Sequence, residues 1–130
     1  MLLLDADIVI DILRRVPEAL AWLGSLGAEE VGLPGIAVME VLRGEPNREA
    51  VARAQRALRP YGIYWPSMAD CDRALSVYAE AKLTHGLDPF DALIGETAVG
   101  LDVPLCTFNV KHFTAIPGLV TIQPYVRPKR

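Results

Sequence analysis

The sequence predicts an α/β domain with a central, mainly parallel sheet of four to five strands flanked by helices. Three observations predict it. Short apolar segments at 2–4, 31–33, 63–65, 103–107 and 119–122 alternate with longer segments of helical periodicity. The 130 residues are 52% hydrophobic and 22% charged, a balance that excludes disorder and supports one sizeable core. No internal repeat or low-complexity stretch interrupts the alternation, so residues 1–130 read as a single domain with a short basic tail at Arg127, Lys129 and Arg130.

The first apolar run, Leu2-Leu3-Leu4, stops on Asp5. A buried parallel strand presents its carboxyl end to the crevice where open α/β sheets hold ligands, so Asp5 is expected at the mouth of that crevice, with Asp7 one alternation further on. Residues 8–15 read as a short helix. Pro17 suits a first helical turn and opens a second helix, with Leu20, Leu23 and Leu26 inward and Gly27 as its stop. After the strand at 31–33, residues 36–43 are helical and end at Gly44. Asn47 caps a helix to about residue 58, with Ala50, Val51, Ala54, Ala57 and Leu58 on one face and Arg48, Arg56 and Arg59 on another. That basic face is either a solvated surface or a shelf for phosphates or an acidic partner. Ser67 to Asp70 has the form of a capping box and opens a long helix to about residue 84, with Met68, Cys71, Leu75 and Tyr78 inward. His85-Gly86 closes it. Residues 88–99 form the next helix, closed by Gly100.

Composition narrows the function classes. No apolar run approaches the roughly 20 residues of a membrane helix. The N-terminus has no basic flank, and Asp5, Asp7 and Asp11 interrupt any signal-like core, so a cytoplasmic protein without membrane association is expected. Cys71 and Cys106 are too few for a disulfide framework or a zinc site, and Cys106 reads as a small core residue. The net charge of −3 gives no bulk attraction to nucleic acid, but an acidic pocket that takes up a divalent cation reverses its own sign.

Several carboxylates sit where burial is expected. The run Ile36-Ala37-Val38-Met39-Glu40-Val41-Leu42 is apolar nearly all round, so its helix should be largely buried, and a charged Glu40 there calls for a partner or a metal. The alternative is a rim position or a pairing with Arg43. In Asp88-Pro89-Phe90-Asp91, Asp88 is a natural helix cap, whereas Asp91 is followed at once by Ala92-Leu93-Ile94 and so lies close to the core. Thr107 and Asn109 follow a strand and should emerge at the same sheet edge as Asp5, although both also suit turn chemistry. His112 reads as a structural or surface histidine. Oxygen ligands without a Cys or His pattern suit Mg²⁺ or Mn²⁺ and therefore a phosphate-bearing substrate.

Together these pieces resemble the PIN-domain nucleases, in particular the VapC-type toxins of toxin–antitoxin pairs. Leu3-Leu4-Asp5-Ala6-Asp7-Ile8 is similar to that family's opening strand. Glu40-Val41-Leu42-Arg43-Gly44 is similar to its second acidic motif and Asp91-Ala92-Leu93-Ile94-Gly95 to its third. Thr107 to Phe113, then Ile116-Pro117-Gly118-Leu119, are similar to its closing signature. The chain departs from the usual pattern at Ala6, Asp7, Ala37 and Gly95-Glu96. The resemblance implies a ribonuclease that cuts RNA phosphodiesters with Mg²⁺ or Mn²⁺, usually a homodimer, silenced by a small cognate antitoxin. It implies a metal site of Asp5, Glu40 and Asp91, with Asn109 in the fourth catalytic position. RNA would approach along Arg14, Arg15 and Arg43, the basic residues nearest the motifs in sequence. Two rival readings stand beside it. One is a non-catalytic module that binds RNA or an antitoxin through a vestigial acidic site. The other is a phosphatase of the haloacid-dehalogenase type, whose aspartate-containing opening Asp5-Ala6-Asp7 also resembles.

Overall fold

Leu2–Leu4 forms the central strand of a five-stranded sheet in which every pairing is parallel. The computed structural model describes residues 1–127, so Lys129 and Arg130 of the expected tail lie outside the described residues. In chain order the elements are β1 (Leu2–Leu4), α1 (Ala6–Leu13), α2 (Pro17–Ser25), β2 (Val31–Pro34), α3 (Gly35–Arg43), α4 (Arg48–Leu58), β3 (Gly62–Tyr64), α5 (Met68–Ala81), α6 (Pro89–Leu101), β4 (Leu105–Cys106), α7 (Val110–Phe113) and β5 (Thr121–Ile122). The strand order is β3-β2-β1-β4-β5. The chain therefore steps outward on one side of β1, then crosses back through α5 and α6 to build the other side. Such a reversal opens the crevice at the carboxyl ends of the strands.

Strand alternation divides the core between the two faces of the sheet. Leu3 is fully buried with Ala37, Ile94, Leu105 and Phe113, and Leu4 is fully buried with Ile8, Val9, Leu33 and Val41. Cys106 is a buried core residue, as expected, and burial pushes its thiol up to about 12. Among the described residues no helix is long and apolar enough to cross a membrane.

Several expectations need correction. The first helix begins at Ala6 rather than at residue 8, because Asp5 is its N-cap and the strand passes directly into it. In α2 the fully buried residue is Ala19, while Leu20, Leu23 and Leu26 are only half-buried. Helix α3 is two-sided, not largely buried: Gly35, Ala37 and Val41 face the core and Met39 is 58% exposed. Gly44 ends α3 with a right-handed φ of −78°, so no left-handed cap is used there.

The largest correction concerns α5. Its capping box is present, and Tyr78 packs against the core, but Met68 and Leu75 are 83% and 70% exposed and Cys71 is exposed. The buried face carries Asp70, Ala74 and Ala81 instead. Small residues let α5 and α6 approach closely, and the helices use that face rather than the one with bulkier side chains. Gly100 belongs to the same contact, since a Cβ there would overlap the Asp70 carboxylate. Gly100 is thus a packing position rather than a stop, and α6 does not end there. It runs on to Leu101 and ends at Asp102, which takes the left-handed conformation at φ 56°.

Candidate functional site

The β1–β4 register pairs Leu3 with Leu105 and Leu4 with Cys106, so the next rung sets Asp5 beside Thr107. The Thr107 hydroxyl donates to Asp5 Oδ2 at 2.7 Å, and the Ala6 N–H donates to Oδ1 at 2.8 Å. Two residues later the Phe108 N–H donates to Asp7 Oδ2 at 2.9 Å, while the Ile8 N–H donates to Oδ1 at 2.8 Å. Thr107 Oγ1 also accepts the Asn109 N–H at 3.0 Å. Two acids at the β1–α1 junction are thus fixed by a turn about a hundred residues away in sequence.

Glu40 projects from α3 and is half-buried. Asp91 lies at the third position of α6 in a reciprocal capping box with Asp88. Its N–H donates to Asp88 Oδ1 at 2.8 Å, and the Asp88 N–H donates to Asp91 Oδ2 at 3.5 Å. Asp88 is therefore the cap that its sequence context suggested. His112 Nδ1 stands 3.9 Å from Asp91 Oδ2, so this histidine faces the site.

The electrostatics tie these groups together. Burial raises the Asp5 carboxyl above its ordinary range, and the negative charges of Asp91 and Asp88 add to that, against the stabilising bonds from Thr107 and Ala6. Burial, then Asp5, lifts Asp7 to about 6. Burial, then Asp5, Asp88 and Asp91, lifts Glu40 to about 7, with Arg43 opposing. Burial, then Asp88, lifts Asp91 to about 6, with His112 opposing. The acids are within electrostatic reach of one another and destabilise one another's charge. Among the described residues no three acids, histidines or cysteines stand close enough to make a ready-formed metal cluster. The arrangement is an open acidic ring. Its all-oxygen donors and surplus negative charge fit a hard divalent cation, which would supply the missing counter-charge.

The remaining predicted residues fall in two groups. Asn109 is exposed at the start of α7, with no side-chain cap bond, and Arg43 lies over the Phe90 ring at 5.6 Å, next to Asp91. Both border the acidic ring. Arg14 and Arg15 do not: they follow the last residue of α1, roughly 13 Å of helix rise from the Asp5 end. Arg15 instead lines a groove of about 570 Å³ formed with α2 and α4. Asp7 is the residue missing from the predicted set. Its signal was available, because it lies two positions past Asp5 beside the same strand end.

Comparison with known proteins identifies the family. The PIN domain family model matches residues 2–119. The curated Ribonuclease VapC19 of Mycobacterium tuberculosis, from strains CDC 1551 / Oshkosh and ATCC 25618 / H37Rv, is 32% identical over 123 residues, which cover 92% of this chain and 97% of the relative. Among solved structures, a toxin-antitoxin complex from Klebsiella pneumoniae is similar with a TM-score of 0.77 and 29% identity, over 96% of this chain and 98% of that one. VapBC2 from Rickettsia felis, bound to a DNA fragment from its promoter, gives a TM-score of 0.76 at 19% identity, over 93% and 96%, a likeness of fold. The chain belongs to the PIN domain family and, within it, to the VapC-type ribonucleases.

Proposed function

We propose that this protein is the ribonuclease toxin of a toxin–antitoxin pair, a cytoplasmic, divalent-cation-dependent endoribonuclease that hydrolyses RNA phosphodiester bonds. The observation that carries the reading is Asp5, buried at the central strand end and held by Thr107, with Glu40 and Asp91 in its electrostatic field. Membership in the PIN family displaces the phosphatase alternative.

In this reading Asp5 and Asp91 would hold the principal ion, with Glu40 beside them, and Asp7 would add to the field that draws it in. A divalent ion held by these carboxylates would supply a lowered pKa for a bound water and a counter-charge for the phosphoryl group. Asn109, exposed at the rim, orients the attacking water or the group that positions it. Arg43, whose charge opposes the rise at Glu40, is placed to receive a substrate phosphate. The groove among α1, α2 and α4 suits the antitoxin. Ile12, Leu13, Leu20 and Leu23 line it together with Arg15, Arg53 and Arg56 against the single acid Glu45, a lining for an acidic amphipathic segment. A homodimer would cover apolar surface that α5 leaves open at Met68 and Leu75.

Incubation of the purified protein with structured RNA tests the assignment directly. Cleavage products that require Mg²⁺ or Mn²⁺ and disappear on chelation are expected. Tight RNA binding without products would support the non-catalytic module instead. A second result bears on the acidic ring: Thr107→Val keeps the volume but removes the donor to Asp5. Calorimetric titration of this variant with Mn²⁺ is expected to show affinity lower by roughly 10–100-fold, the usual consequence of losing a group that orients a ligand.

A further inference from the structure

The chain past β5 folds back onto α1, α2 and the turn after β4. The Gln123 amide donates to the Tyr125 carbonyl at 3.2 Å and closes the bend. Tyr125 Oη then donates to Asp11 Oδ2 at 2.9 Å, and Arg127 grips the same carboxylate with two donors, Nη2 to Oδ1 at 2.9 Å and Nε to Oδ2 at 3.2 Å. Asp11 is 4% exposed, on a helix that starts at Asp5. The same two C-terminal residues hold Phe108. Tyr125 meets its ring edge-on at 5.1 Å between centroids, and the Arg127 guanidinium lies 4.8 Å from the ring centre.

Phe108 is the middle of the turn that serves the acids: Thr107 bonds Asp5, the Phe108 N–H bonds Asp7, and Asn109 follows. We propose that Asp11, Tyr125 and Arg127 form a clamp that positions the Thr107–Phe108–Asn109 turn against Asp5 and Asp7, with Arg127 as its principal positioning residue. A forked guanidinium–carboxylate pair fixes direction as well as distance, and the aromatic face beneath it fixes the ring that the turn carries. Phe108 packs on the hydrophobic cluster around Leu4, whereas Tyr125 belongs to neither hydrophobic cluster. Loss of the clamp therefore frees the turn without opening the core. The effect on the site is indirect, since Arg127 acts through Phe108 and Asp11 rather than on the reacting atoms.

Amide hydrogen exchange on the full chain tests the clamp without any assumption about activity. In Arg127→Ala the Phe108 and Asn109 amides should exchange at least about tenfold faster, the lower end of what a charge-assisted hydrogen bond contributes, while amides of α5 and α6 keep their rates. Tyr125→Phe removes one donor and should give the same local pattern at smaller amplitude, which keeps the test available if Arg127→Ala folds poorly. Arg127→Lys retains the charge but not the fork, and should restore protection only in part. Unchanged exchange at Phe108, an equal rise across α5 and α6, or full restoration by lysine would each overturn the clamp. A second arm rests on the ribonuclease reading. With RNA and Mn²⁺, Arg127→Ala should lower kcat by about tenfold and leave KM within about twofold, as for a group whose placement is needed in the transition state only. A raised KM at unchanged kcat would mean that Arg127 binds RNA and positions nothing. If the wild-type protein cleaves no RNA, the ribonuclease reading fails, and the exchange rates still decide the clamp.

Discussion

Asp5→Asn is expected to reduce RNA cleavage by more than about 100-fold, beyond the roughly 10–100-fold that follows loss of an outer-shell partner. The substitution is close to isosteric: the amide oxygen can still accept from the Ala6 N–H, and the amide NH₂ can donate to the Thr107 hydroxyl. The helix cap and the β1–β4 rung therefore survive, and circular dichroism and melting of the variant should resemble the wild type. Electrostatics provides an internal check. The Asp5 charge is among the causes that lift both Asp7 and Glu40, so the variant should titrate with lower carboxyl pKa values at those two residues by NMR. Asp88→Asn makes the matching comparison. It also removes a charge from the neighbourhood but leaves a good helix N-cap, and its activity should fall far less. Wild-type cleavage rates in a folded Asp5→Asn protein would remove Asp5 from the chemistry.

How much of this was legible in the sequence depends on the kind of signal each residue carried. Asp5, Glu40 and Asp91 stood out because a carboxylate inside an apolar run conflicts with burial, and that conflict is local. The parallel sheet was legible from the same alternation of apolar runs. The buried face of α5 was not, because counting large apolar residues favours Met68 and Leu75, while close helix contact prefers Ala74 and Ala81. Arg14 and Arg15 were placed near the motifs by sequence distance, and a helix converts that short distance into about 1.5 Å per residue away from Asp5. The departure at Gly95-Glu96 has a reason that only packing reveals. A Cβ at Gly95 would overlap Ile116, and the buried Glu96 accepts from Arg73 Nε of α5 at 2.8 Å. Ala37, another departure from the usual pattern, is fully buried in the cluster of Leu3 and Ile94. The pairing of Asp11 with Arg127 spans 116 positions and leaves no trace in local pattern.

The acidic ring also makes the melting temperature of the metal-free protein a function of pH, with a defined sign. Asp7 and Asp91 sit at about 6 and Glu40 at about 7, against ordinary values of 3.8, 3.8 and 4.5. Between those limits the folded state binds more protons than the unfolded chain, so stability falls as pH rises. The contribution of these groups is complete below about pH 4 and is lost as pH climbs through about 6 to 7. Chelated protein should therefore melt lower at pH 8 than at pH 5, and Asp7→Asn should flatten the slope. Mg²⁺ or Mn²⁺ should act in the opposite direction, because the ion binds the charged carboxylates that the bare fold destabilises. At a hundredfold excess over its dissociation constant a ligand adds about 2.7 kcal/mol, which for a domain of this size is a rise of roughly 10 °C. Protons compete with the cation at pH 5, so the rise should be larger at pH 8. Na⁺ at matched ionic strength should recover only the part due to screening. A melting temperature that is level from pH 5 to pH 8 and indifferent to Mn²⁺ would show that the acids do not share a field, and the proposed metal site would fall with it.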